Sequence, residues 1–95
     1  MNKYELTIIV RPDLEKEALT AEFDQVKELI TKFGGTIDKV DEWGKRKLAY
    51  EINKVNEGFY NFIEFTADAN VPAEIESRIR IKENILRYLI IRQED

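Results

Sequence analysis

Lys45, Arg46 and Lys47 are the residues of this chain best suited to chemistry, and that chemistry is ionic. Three consecutive cations can pair with phosphate oxygens, Arg through a planar fork of donors and Lys as a point charge. Gly44 precedes them, where a bulge or a close backbone approach would sit. Leu48, Tyr50 and Ile52 follow with the alternation of one face of a half-buried strand. Other chemistry finds little support. The sequence has no Cys and no His, which removes disulfides, thiolate nucleophiles, most zinc sites and imidazole acid–base catalysis. Its Ser and Thr residues have no His to activate them. Gly34-Gly35 follows a helical pattern, whereas a phosphate-cradling loop precedes one. The carboxylate pairs Glu15/Glu17 and Asp41/Glu42 are ordinary for an acidic surface. Arg11 lies near the position an acylphosphatase-like enzyme would use, but a shared topology does not confer an activity. The chain is read as a non-enzyme without metal or cofactor.

The elements that must position the cations follow from periodicity. Tyr4, Leu6, Ile8 and Val10 alternate with more polar neighbours, giving a first strand over 3–10 that ends at Arg11-Pro12, with Asp13 as a helix N-cap. Leu19, Phe23, Val26, Ile30 and Phe33 recur at helical steps, widened by Ala18 and Leu29, so 14–33 is a helix stopped by Gly34-Gly35. A long strand over 36–52 bends near Trp43-Gly44. The polar stretch 53–58 reads as a hairpin loop and 59–67 as the third strand. Pro72 suits the first turn of a second helix carrying Val71, Ile75 and Ile79. A last strand covers 85–92, followed by a polar tail over 93–95. The order strand, helix, strand, strand, helix, strand with right-handed crossovers gives an α+β, ferredoxin-like split βαβ sandwich as one domain over 1–95. Strands one and three are central, and two and four are edges.

Charge limits what this domain can hold. The net charge is −4, which argues against coating nucleic acid unaided. Yet residues 39–54 carry five bases and three acids, and residues 76–92 five bases and two acids, whereas 55–75 carry four acids and no base. Either the fold gathers the two basic segments into a local patch, or both are ordinary solvated faces. The N-terminus lacks the apolar run of a signal peptide, and no segment approaches transmembrane length, so no membrane partner is expected.

Two helices on one side leave the other sheet face open, and an open face should be polar. Here, if Ile63 and Phe65 point inward, Tyr60 and Phe62 point outward. Leu89 and Ile91 join them beside Arg87, with Ile9 on the first strand. An apolar patch rimmed by charge marks a contact surface. Aromatic residues on an open sheet also suit base stacking. The third strand lacks the sequence pattern of that class of RNA binder, however, and Glu64 would repel phosphate. A protein fits the patch better, and RNA fits the basic edge.

The chain closely resembles the family of the sixth protein of the bacterial small ribosomal subunit. The likeness rests on Lys3-Tyr4-Glu5-Leu6, Arg11-Pro12, the block Trp43 to Ile52, Glu57-Gly58-Phe59-Tyr60 and Asn84-Ile85-Leu86-Arg87-Tyr88. It implies a cytoplasmic, ribosome-associated structural protein, monomeric when isolated. Such a protein would bind ribosomal RNA of the subunit's central domain as a heterodimer with the small, basic eighteenth small-subunit protein. Under that resemblance Arg46 and Lys47 contact phosphate or the partner, and Lys45 and Lys54 extend the basic edge. Tyr60, Phe62, Leu89 and Ile91, with Arg87 at the rim, form the partner surface. Tyr50 is either the core end of its strand, the preferred reading, or a stacking residue. Arg80 and Lys82 either touch RNA or balance a helix end. The alternative is a ferredoxin-like interaction domain that homodimerises through the open face.

Overall fold

A computed structural model describes residues 1–52 and 54–93. The expectations for Asn53 and for the Glu94-Asp95 tail lie outside the described residues. The elements run β1 (Asn2–Val10), α1 (Lys16–Lys32), β2 (Thr36–Ile52), β3 (Val55–Ala67), α2 (Val71–Ile79) and β4 (Ile85–Gln93). The four strands form one antiparallel sheet in the order β2-β3-β1-β4. β1 and β3 are therefore central and β2 and β4 are edges, as the ferredoxin-like reading requires.

Strand alternation builds the core. Tyr4, Leu6, Ile8 and Val10 lie opposite Phe65, Ile63, Asn61 and Phe59 in register. This set faces the helices, where Phe23, Val26 and Ile30 of α1 and Val71, Ile75 and Ile79 of α2 are buried against it. The helical stripe of α1 thus supplies the cover expected of it, with Leu19, Leu29 and Phe33 half-buried at its flanks, whereas Ala18 is exposed. The two helices are joined at their outer side by an ion pair. Lys82 just beyond α2 sits 3.3 Å from Glu22, which is itself buried on α1, and its Nζ also donates to Gln25.

Two boundaries differ from the sequence expectation. α1 begins at Lys16 after Glu15, with no side-chain cap. Asp13 instead accepts two hydrogen bonds from the Arg11 guanidinium, 2.9 and 3.1 Å long, and is drawn away from the helix end. Most of the loop expected over 53–58 is strand, because β3 already begins at Val55, which pairs with Ile52. Lys54 supplies the reversal with a φ of +64°. Gly58, which reads as a turn signal, serves close approach instead. A Cβ there would run into Ile9 Cγ2 and come 3.2 Å from the Val10 carbonyl oxygen.

Asn61 is the one polar side chain at the centre of the sheet's core face. It is fully buried, and neither its amide nitrogen nor its amide oxygen has a partner among the described residues. Such a group carries its desolvation cost uncompensated by the protein. Asn61→Val should therefore raise stability by about 1–2 kcal/mol, read as a higher urea midpoint at unchanged slope; a lower midpoint contradicts this account. Gly58→Ala should lower stability by about 1–3 kcal/mol, because the methyl group overpacks against Ile9. A midpoint equal to that of the parent chain would show that the β3 backbone can move off β1 freely.

Candidate binding surface

The geometry of the basic edge is set by a bulge in β2. Asp41 lies opposite Phe62 and Glu42 opposite Asn61, but the next pair is Gly44 with Tyr60. Trp43 is thus an extra residue, and Gly44 takes up the distortion with a φ of +74°, which glycine adopts without steric cost. One inserted residue exchanges the two faces of the strand beyond it. Before the bulge, Val40 opposes the core residue Ile63; after it, Arg46 opposes Gly58, on the open side. Arg46 therefore faces the open side of the sheet, and Lys45 and Lys47 face the other. Lys45 Nζ lies 5.5 Å from the Phe59 ring centre. All three cations are exposed, but they straddle the edge of β2 and do not form a single row.

On the open face an aromatic row runs inward from this edge. The Arg46 guanidinium lies 5.9 Å from the Trp43 ring. Trp43 meets Phe62 edge-on at 4.8 Å, and Phe62 is followed by Tyr60 at 6.3 Å. Trp43, 51% exposed, is the member of this aromatic row that sequence reasoning missed. The signal available was its place beside Gly44, where a bulge residue is free to leave the alternation. At the far side of the face Leu89 and Ile91 are 49% and 48% exposed. Thr7, Ile9, Arg87 and Leu89 line a hollow of about 200 Å³ between them. The five residues assigned to a partner surface thus share one face of the sheet: Tyr60, Phe62, Arg87, Leu89 and Ile91. Glu5 and Glu64, also on this face, lie directly opposite each other in register.

The tip of the β2–β3 hairpin bends over this face. Ile9, though on the open side, is buried, and so is Leu48, whose Cδ2 lies 3.8 Å from the Cβ position of Gly58. Tyr50 corrects the preferred core reading: it is 58% exposed, and its hydroxyl accepts a hydrogen bond from Arg87 Nη1 on β4. The core reading assumes an unbroken alternation, whereas β2 breaks register at Trp43 and again between Lys47 and Ile52. Ile52 is half-buried, and Lys54 is exposed at the tip.

The second basic segment goes elsewhere. Arg80 caps the end of α2, and Lys82 turns to Glu22 and Gln25 in the helical layer. Arg78 lies over the Phe33 ring at 5.7 Å. Arg87 alone among these places its side chain against the β2 tip among the described residues. The two basic segments therefore meet at the Tyr50–Arg87 contact and do not merge into one broad patch.

The comparisons with known proteins agree with this fold. The family model described as ribosomal protein S6 matches residues 3–92. The chain is 47% identical over 94 residues to small ribosomal subunit protein bS6 of Clostridium botulinum, covering 99% of this chain and 100% of that protein. It is 48% identical over 91 residues to the protein of the same description in Clostridium acetobutylicum, covering 96% of each. The crystal structure of 30S ribosomal protein S6 from Thermotoga maritima superposes with a TM-score of 0.93 at 36% identity, over 97% of this chain and 87% of that one. The C-terminal domain of the MgtC protein from Mycobacterium tuberculosis superposes with a TM-score of 0.65 at 9% identity, which is a likeness of fold alone. Near-complete coverage in both directions, on the same strand and helix order, leaves one assignment: the chain belongs to the ribosomal protein S6 family, a family of structural, non-enzymatic proteins.

Proposed function

We propose that this protein binds small-subunit ribosomal RNA through the β2 edge while a small basic protein covers its open sheet face. The family places it as a structural constituent of the small ribosomal subunit, cytoplasmic and ribosome-associated. The observation that carries the proposal is the apolar face itself: Leu89 and Ile91 stand half-exposed beside Phe62 and Tyr60, with the cations of β2 at the margin. An acidic domain of net charge −4 cannot neutralise many phosphates. The partner supplies most of that charge, and this chain supplies shape, apolar contact and a few cations. By the family resemblance the partner is the eighteenth small-subunit protein.

Arg46 and Lys47 take the phosphate contacts, with Lys45 and Lys54 extending the edge. Arg80 and Lys82 play a lesser part, since the Lys82 ammonium is already paired in the helical layer. A homodimer through the same face is the competing reading. It is disfavoured by Glu5 and Glu64, neighbours at the middle of the face. Like charges directly opposite repel. A basic partner relieves that repulsion, and a second acidic copy adds to it.

RNA affinity of the isolated chain and of the chain with its basic partner should differ by at least about tenfold, a coupling of ordinary size. Equal, tight binding by the isolated chain, or a stable homodimer in sedimentation, contradicts the proposal. In the complex, replacing Arg46 and Lys47 together by Ala should flatten the dependence of log affinity on log salt by about one unit per lost phosphate contact. A slope that does not move assigns both residues to solvent or to the partner.

A further inference from the structure

We infer that Tyr50 and Arg87 form a clasp that couples the partner surface to the RNA edge. The inference rests on the proposed function and adds to it a positioning role for two residues. The clasp joins the two outer strands of the sheet across its open face, since Tyr50 is on β2 and Arg87 is on β4, with β3 and β1 between them. Arg87 Nη1 donates to the Tyr50 hydroxyl, and the guanidinium carbon lies 5.6 Å from the ring centre. Arg87 is paired in register with Ile9, the residue that the hairpin tip buries. Closing the clasp thus keeps Leu48 and Ile9 covered, and it holds the strand segment that carries Lys45, Arg46 and Lys47.

Both ends of the clasp are exposed in the isolated chain. There the hydrogen bond competes with water and is weak. A partner seated on Leu89 and Ile91, two and four residues along β4 from Arg87, removes that water. A hydrogen bond to a charged donor strengthens as the local dielectric falls. The tip is then ordered before RNA arrives, so RNA binding bears less of the ordering cost. By linkage, RNA bound at the edge tightens the partner by the same factor.

The test is the ratio of RNA dissociation constants without and with the basic partner, measured for the parent chain and for Tyr50→Phe. The substitution keeps the ring and the apolar cover and removes only the hydroxyl acceptor. The ratio should shrink about five- to tenfold in the variant, and a loss of stability that acts equally on both constants cancels from it. Amide hydrogen exchange at 45–52 in the partner complex should also speed up in the variant while exchange in β1 does not. An unchanged ratio with unchanged exchange overturns the clasp and leaves the salt-slope result for Arg46 and Lys47 standing. No enhancement by the partner in the parent chain overturns the proposed function, and the clasp with it.

Discussion

One extra residue in β2 decides which side chains this protein presents and where. Without the extra residue Trp43, the alternation that sets Val40 opposite the core residue Ile63 would carry Arg46 to the helix side. The insertion turns the strand over at Gly44, where a positive φ is tolerated. It sends Arg46 to the open face, leaves Lys45 and Lys47 on the other side, and gives Trp43 to the aromatic row, while a further register break follows between Lys47 and Ile52. The placement of the β2 cations and of the aromatic row follows from that distortion.

The sheet supports this arrangement by dividing its labour. One face carries a continuous apolar set under two helices, tied by the Glu22–Lys82 pair across the helical layer. That pair has little solvent around it, and breaking it by removing one partner would leave a charge in a poorly hydrated place. The opposite face carries apolar side chains with no helix above them. The central position of β1 and β3 means that a ligand on this face rests on the best-anchored strands, while β2 and β4 adjust at the margins.

Most of the architecture was legible because it is written in short periods. The steps of four and three in α1 and the alternation in β1, β3 and β4 are local signals, and each was realised in the structure. The outward direction of Tyr60, Phe62, Leu89 and Ile91 followed from the same alternation. What escaped is non-local or depends on parity. A bulge near Gly44 could be anticipated, but not the count of residues it inserts, and the face of Tyr50 depends on that count. Gly58 looked like a turn because its real constraint, the side chain of Ile9, is distant in sequence. Asp13 was expected at the helix cap but bonds to Arg11, a choice between two local partners that spacing alone does not rank. The pairing of Lys82 with Glu22 joins residues sixty positions apart and leaves no trace in either neighbourhood.

The length of β2 has a consequence for how the chain survives before assembly. Seventeen residues of strand lie at the sheet margin with one side of their backbone unpaired, and a margin of that length is a template for adding another chain's strand. Three irregularities, near Asp38, at Trp43 and between Lys47 and Ile52, break its register, and charged side chains crowd the run from Asp38 to Lys47. Any incoming strand would have to match all three breaks and bring its own charges alongside. The distortion that sets the directions of the β2 cations therefore also guards against fibrillar stacking.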